Sequence, residues 1–229
     1  GANDGITGST TYYFEKKGWK CVLVEPIPEL CEKIRQFRSA LVFECAASSE
    51  PAENVFYVPE SAKSLSTFSL TTPLQQEIEG EKTNVREIRV RKRTLDGILD
   101  EVGISEIDFI TIDVEGHEME VLRGFSIERH RPRIIIIEDN SDQTDERIGM
   151  YLEDKGYKAF FRTGVNDWYA SKGDMITSPS SIVQLARERK RYEFEDKIKT
   201  NFSFLNDMLP DSIKSILRMM LHKFSKCVK

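Results

Sequence analysis

The chain has 229 residues, of which 39% are hydrophobic and 31% are charged, and its formal net charge is −5. This balance excludes a wholly disordered chain, and no segment approaches the roughly 20 apolar residues that a membrane-spanning helix needs. Residues 187–229 carry a net charge of +5, and the rest of the chain carries −10. The acidic main part disfavours nucleic acid as a partner, because a surface that binds nucleic acid has to be basic.

Strand-like and helix-like segments alternate over the first two-thirds of the chain, which is typical of βαβ units. In chain order, strands are predicted over residues 20–25, 41–45, 54–58, 85–90, 107–113, 133–138, 157–162 and 166–171. Helices are predicted over residues 10–17, 28–37, 94–102, 118–123 and 146–155. The pattern predicts an α/β fold with a doubly wound, mostly parallel sheet, which the last two strands close as an antiparallel hairpin. The strand at 133–138 is the most apolar, so we expect it at the centre of the sheet, buried on both faces.

Two segments depart from this alternation. Residues 60–84 are rich in Ser, Thr and Glu and are predicted to form a lid or substrate loop, because long loops in compact domains are usually functional or disordered. After Pro179 the chain becomes charged and helix-like, so we predict a main domain over 1–178 and a helical, basic extension over 179–229. Apolar residues in 212–229 recur on one helical face, which favours packing on a protein surface, self-association or peripheral membrane binding.

The chain opens on a glycine-rich loop, Gly1-Ala2-Asn3-Asp4-Gly5, and the next predicted strand ends at Glu25. Glycines let the backbone approach a ligand, and an acid about 20 residues after such a loop accepts hydrogen bonds from ribose hydroxyls. Together they predict a nucleoside cofactor. The dinucleotide fingerprint G-x-G-x-x-G has a glycine where Asn3 stands, so an NAD-dependent oxidoreductase is the less favoured alternative. Such a loop normally follows a buried strand, so Gly1 is interpreted as a truncation point.

Three ionisable residues, Asp113, Glu115 and His117, lie at the end of an apolar strand. Ligands of open α/β sheets bind at the carboxyl edge of the strands. The three side chains can activate a hydroxyl group or hold a divalent cation. The alternative is structural: Glu118 and Glu120 complement the N-terminus of a helix, and His117 is a first-turn residue without a proton role.

These motifs occur in an order that resembles the FkbM family of methyltransferases. The motifs are the opening glycine loop, Val24-Glu25-Pro26, Thr94-Leu95-Asp96 and Ile107-Asp108-Phe109…Ile112-Asp113-Val114-Glu115-Gly116-His117-Glu118…Val121-Leu122-x-Gly124. The resemblance runs from Gly1 to about Glu138, and more loosely to Ser171. It implies a Rossmann-like class I methyltransferase fold, S-adenosylmethionine as cofactor, and O-methylation of a sugar, glycan or related polyol. We also expect a cytoplasmic enzyme, which would be peripheral to a membrane if residues 212–229 bind one.

The resemblance also assigns roles by position. The implied cofactor contacts are Gly1, Asn3 and Gly5 for the methionine end, Glu25 for the ribose, and Ala46 and Ala47 for the adenine. Asp113 would lie beside the sulfonium and the acceptor. We predict that Asp113 or His117 takes the acceptor's proton, directly or through water or a metal ion, and that Glu115 and Glu138 orient its other hydroxyls. A degenerate domain that only binds partners is the alternative from a different functional class.

Overall fold

The computed structural model describes residues 1–7, 9–69, 80, 84–141 and 144–182. Residues Gly1–Thr177 form one compact unit, and a second unit begins at Ser178. The predicted apolar face of 212–229, and most of the predicted extension, lie outside the described residues. Within the described ranges, no helix combines the length and the apolar character that crossing a membrane requires.

The five predicted helices are present close to their predicted positions, whereas the short helix Ile127–His130 and two single 3₁₀ turns were not predicted. The α-helices with both ends described are α1 (Thr10–Lys16), α2 (Pro28–Phe37), α3 (Leu95–Glu101), α4 (Glu118–Arg123), α5 (Ile127–His130) and α6 (Arg147–Asp154). Single 3₁₀ turns occur at Lys63–Leu65 and Met175–Thr177. Helix α3 begins after Thr94, whose side chain accepts a hydrogen bond from the backbone N–H of Gly97 at 3.1 Å. This bond satisfies one of the free donors of the first helical turn.

The strands pair in both directions. They are β1 (Val22–Glu25), β2 (Leu41–Glu44), β3 (Ala46–Ala47), β4 (Ala52–Pro59), β5 (Val85–Arg93), β6 (Phe109–Ile112), β7 (Ile134–Glu138), β8 (Tyr157–Thr163) and β9 (Asn166–Ser171). In the described residues they form three sheets, with the strand orders β1-β2, β3-β5-β4 and β6-β7-β9-β8. The pairs β1–β2, β3–β5 and β6–β7 are parallel, whereas β4–β5, β7–β9 and β8–β9 are antiparallel. The α/β class is confirmed. The observed sheets combine parallel and antiparallel pairs, whereas one mostly parallel sheet was expected.

The predicted antiparallel hairpin of β8 and β9 is confirmed, whereas the antiparallel pair of β4 and β5 was not expected. Strands β8 and β9 are separated by Gly164 and Val165 alone, and so short a connection can only reverse the chain direction. Strands β4 and β5 pair with each other along their length, from Ala52 opposite Lys92 to Pro59 opposite Val85. Period-two patterns predicted both strands correctly, but such a pattern does not specify which other strand each one pairs with.

Strand β7 lies at the centre of the largest sheet, between β6 and β9. Its residues Ile135, Ile136 and Ile137 are at most 4% exposed, which confirms the expected burial on both faces. Two of them join an apolar core that includes Leu122 of α4 and Leu152 of α6. This core fixes the carboxyl end of β6, where the candidate site begins.

Helix α4 ends at Arg123, as predicted, and Gly124 follows it as the C-cap. The residue has a φ of −88°, so it is not in the left-handed conformation of the usual glycine cap. A Cβ atom at this position would lie 2.0 Å from the carbonyl oxygen of Ser48. Glycine is therefore required because the loop after β3 passes directly over the end of the helix.

Candidate functional site

The opening loop turns sharply because Asn3 and Gly5 have positive φ angles of 49° and 71°. A Cβ atom on Gly5 would lie 2.8 Å from Cγ1 of Ile34, so a larger residue would be strained and would also lack space. The buried guanidinium of Arg38 donates a hydrogen bond of 2.7 Å to the carbonyl oxygen of Gly5 and pairs with Glu15 at 2.7 Å. Arg38, which the sequence patterns did not identify, therefore ties the loop to α1 and α2.

Glu25, at the end of β1, holds the same loop through its side chain. Its Oε2 accepts the backbone N–H groups of Ala2 at 3.1 Å and Asn3 at 2.8 Å, and its Oε1 accepts that of Ile27 at 3.0 Å. Burial raises the pKa of the Glu25 carboxyl, against the opposing effect of the amino group of Gly1 and these three N–H donors. A carboxylate has about four lone-pair positions, and three are already used. Ribose binding by Glu25 remains a prediction, with one acceptor position left for it.

The second loop of the site follows β6 and is strained. Glu115 and Gly116 have φ angles of 53° and 89°. The Oε1 atom of Glu118 accepts the backbone N–H groups of Val114 at 3.2 Å and Gly116 at 3.1 Å. From the segment between β4 and β5, the hydroxyl of Thr67 donates to the carbonyl oxygen of Glu115 at 3.0 Å. A non-glycine residue in this conformation costs about 1–3 kcal/mol and persists only where its surroundings hold it, which is common at functional sites.

Three carboxyl groups, from Asp113, Glu115 and Glu138, form a cluster at this loop. Each offers an oxygen atom within 4.8 Å of the others. Burial, followed by the charges of Asp113 and Glu115, raises the pKa of Glu138 to about 8. Its buried Oε2 atom has no hydrogen-bond partner among the residues that the structure describes. The cluster can share a proton, and oxygen ligands of this kind suit a divalent cation such as Mg²⁺.

His117, predicted as a candidate base, lies in different surroundings from the carboxyl cluster. Its Nε2 atom is 3.0 Å from the hydroxyl oxygen of Ser48, and its ring centroid is 5.0 Å from that of Phe68. Burial, and then the charge of Lys92, lower the pKa of His117. The imidazole is therefore held in its neutral form near pH 7, because burial and the charge of Lys92 outweigh the opposing charge of Glu120.

A cleft joins these groups, and its two ends differ in chemistry. The charged end is formed by Asn3, Glu25, Asp113 and Glu115, together with the backbone of Gly1. The aromatic end is formed by Phe56, Phe68 and His117. Ala46 and Ala47, both buried, line the cleft along with Cys45, Val24 and Leu30. A ligand that fits must carry polar groups at one end and a flat or apolar group at the other.

A comparison with protein families shows which family this chain belongs to. The profile described as "Methyltransferase FkbM domain" matches residues 1–159. The chain belongs to the FkbM methyltransferase family. Comparisons with curated proteins and with solved structures found no match. The family match begins at the opening loop of this FkbM domain, contains all the site residues described above, and ends within β8.

The FkbM domain brings most of the predicted site residues to one cleft. The predicted residues that line it are Gly1, Asn3, Glu25, Ala46, Ala47, Asp113, Glu115 and His117. Glu138 contributes through the carboxyl cluster, whereas Gly5 serves the turn of the loop. No sequence motif identified Ser48 or Phe68. Phe68 had one available signal, since it is the only aromatic residue between positions 60 and 84.

Proposed function

We propose that this protein is an S-adenosylmethionine-dependent O-methyltransferase whose acceptor is a hydroxyl group of a sugar, glycan or related polyol. The observation that carries the proposal is the cleft with its charged and aromatic ends, in a chain of the FkbM methyltransferase family. S-adenosylmethionine has an ammonium group at its amino-acid end and a flat base, which match the carboxyl groups and the aromatic rings of the cleft. The acidic rim offers acceptors for the many hydroxyl donors of a polyol.

We further infer that β1–β2 and β6–β7 belong to one doubly wound sheet. Within the described residues, β1 pairs with β2 alone and β6 with β7 alone. The backbone nitrogen of Gly1 donates to the carbonyl oxygen of Asp113, and Ala2 and Asn3 bind Glu25, so the opening loop lies between the carboxyl ends of β1 and β6. Val24 of β1 also packs on the core that contains Ile112 of β6.

In this proposal Asp113 is the general base. The cofactor, when bound, would supply a methyl group on a positively charged sulfur. The acceptor oxygen would take this group directly, so that no protein side chain has to act as a nucleophile. Asp113 is exposed at the cleft and accepts the proton of the acceptor hydroxyl as the new O–C bond forms. Glu138, protonated at neutral pH by its raised pKa, donates a hydrogen bond, and Glu115 accepts one, so that together they orient the acceptor.

The test is transfer of radiolabelled methyl groups from S-adenosylmethionine to a panel of monosaccharides and oligosaccharides. With an acceptor found, Asp113→Asn should lower turnover about 10²–10⁴-fold, the usual contribution of a general base. Asp108→Asn is the matched control, because Asp108 is an exposed aspartate at the other end of the same strand. Full turnover in Asp113→Asn would remove Asp113 as the base.

A further inference from the structure

The loop after β3 carries the hydrogen-bond partner of His117 and continues the wall of the cleft. Ala46 and Ala47 of β3 line the cleft, and Ser48 follows them directly. Ser48 is 1% exposed, and its hydroxyl oxygen lies 3.0 Å from Nε2 of His117, which lines the cleft as well. A shift of this loop would therefore move the cleft wall and disturb the contact with His117.

The same loop lies against the end of helix α4. A Cβ atom on Gly124 would lie 2.0 Å from the carbonyl oxygen of Ser48 and 3.2 Å from the Cα atom of Ser49. Non-bonded atoms do not approach as closely as the first of these distances, so a side chain at Gly124 would displace either the loop or the end of the helix. Which of the two moves depends on how firmly each is held.

The end of α4 is held firmly by Asp96, the last residue of the motif Thr94-Leu95-Asp96. The backbone N–H of Asp96 donates to the carbonyl oxygen of Gly124 at 3.2 Å. Its carboxylate accepts the backbone N–H of Ser126 at 2.8 Å, together with the hydroxyl of the same residue. Nε2 of the buried His130 lies 3.3 Å from this carboxylate. The apolar residues on either side of the turn are buried in the core: Leu122, Phe125 and Ile127.

The loop after β3 has weaker support. The backbone N–H of Ser48 donates to the carbonyl oxygen of Arg93 at 2.9 Å, and the hydroxyl of Ser49 donates to Oε2 of Glu120 at 2.7 Å. The strand before the loop, β3, is paired with β5 over two residues. A side chain at Gly124 would therefore move the loop rather than the helix, and the cleft wall would move with it.

Resting on the proposed function, we propose that Gly124 is a positioning residue for the cleft and that Asp96 braces it. Because Gly124 has no side chain, the loop after β3 lies close enough to α4 for Ser48 to reach His117. The same placement sets the two alanines of β3 in the cleft wall. The two sequence motifs that end at Asp96 and at Gly124, to which the proposed mechanism assigns no role, thus act together behind the cleft.

The test measures binding of S-adenosylhomocysteine by calorimetric titration of the protein and, without ligand, the ¹⁵N NMR signals of the histidine side chains. Gly124→Ala should weaken binding roughly 5- to 150-fold, because an overpacked loop relaxes in the free protein and has to be restored in the complex. It should also shift the Nε2 signal of His117, since the hydrogen bond with Ser48 changes. The chain has three histidines, so His117→Gln assigns this signal by its loss.

Two variants serve as controls for the steric argument. Gly149→Ala is the matched one, because Gly149 lies in helix α6 and its nearest neighbour, the hydroxyl oxygen of Tyr169, would be 3.8 Å from a Cβ atom, an ordinary contact. It should change neither the affinity nor the His117 signal. Ser48→Ala removes the hydroxyl but leaves the loop in place, so it should shift the His117 signal while losing less affinity than Gly124→Ala.

A pair of variants at Asp96 tests the brace even where Gly124→Ala does not fold. Asp96→Ala frees the end of α4 without adding an atom beside the loop, so it should weaken binding and shift the His117 signal. Asp96→Asn keeps an amide oxygen that can accept the backbone N–H of Ser126, and should therefore retain nearly the wild-type affinity and signal.

Unchanged binding or an unchanged His117 signal in a folded Gly124→Ala protein would overturn the positioning role, and so would equal losses in the two Asp96 variants. Each of these results would leave the proposed function intact. A wild type that does not bind S-adenosylhomocysteine would overturn the proposed function instead. The histidine signals are read without ligand, so they would still test the contact between Gly124 and the loop.

Discussion

The two loops that border the cleft share a construction but differ in where their support comes from. Each loop contains a non-glycine residue with a positive φ angle, Asn3 in one and Glu115 in the other. Each is held by a buried carboxyl group that accepts backbone N–H donors. For the opening loop this group is Glu25, more than 20 residues away on β1, whereas for the loop after β6 it is Glu118, within four residues.

This difference sets how each loop depends on the rest of the fold. The loop held by Glu118 can form together with its own helix, because a carboxylate in the first turn also complements the helix N-terminus. The loop held by Glu25 acquires its support only when β1 is in place. The two carboxyl groups also differ in use: Glu25 accepts through both oxygens, and Glu118 accepts both of its bonds through Oε1.

Glu25→Gln should produce the larger loss of stability. Whichever way the amide is turned, its NH₂ group faces a backbone N–H donor, so at least one buried donor loses its acceptor. We expect the free energy of unfolding to fall by about 2 kcal/mol, and the melting temperature by about 4–8 °C. Thermal unfolding followed by circular dichroism measures this change.

Glu44→Gln is the matched control for that variant. Glu44 ends β2 directly opposite Glu25 in the parallel pair, but it is exposed and forms a surface ion pair with Arg35 at 3.1 Å. Such pairs contribute at most about 1 kcal/mol. A control as unstable as Glu25→Gln would show that strand-end charge, rather than support of the loop, determines stability here.

Glu118→Gln should lower the free energy of unfolding by less than about 1 kcal/mol, which is a smaller loss than for Glu25→Gln. A glutamine oxygen can occupy the place of Oε1 and keep both hydrogen bonds. The same unfolding measurement applies. If the two variants lost equal stability, the distinction between a two-oxygen and a one-oxygen support would be wrong.

An effect of the opposite sign is expected for Glu138→Gln. Because the pKa of Glu138 is raised in the folded protein to about 8, its contribution to stability is fully present below its ordinary value of 4.5 and is lost as the pH rises towards 8. Glutamine does not ionise, so the variant should gain stability relative to the wild type between pH 5 and pH 8. Unfolding measured with a chelator present, to exclude cation binding, should show this widening difference, and a constant difference would contradict the raised pKa.

Features that depend on neighbouring residues were predictable from the sequence. The order of strands and helices, the Thr94 cap and the placement of Glu118 at a helix N-terminus all follow from local periodicity and local hydrogen bonds. The apolar run of β7 was enough to place it at the centre of a sheet, because burial on both faces requires a continuous apolar strand.

Contacts between distant residues were not predictable in the same way. Ser48 meets His117 across 69 positions of the chain, and Phe68 meets it across 49. The pairing of β4 with β5 likewise depends on which strand has a free edge for hydrogen bonding. The period-two patterns of the two strands do not specify this. The charged end of the cleft and His117 were therefore predicted from motifs, whereas the residues that surround His117 became visible only in three dimensions.

The most direct test of the proposed function is calorimetric titration of the protein with S-adenosylhomocysteine, with NADH titrated in parallel. The cleft described above predicts binding of S-adenosylhomocysteine at one site and no binding of NADH, because the opening loop has Asn3 where a dinucleotide-binding loop has glycine. Binding of NADH alone, or of neither ligand to the folded protein, would contradict the assignment of this cleft to S-adenosylmethionine.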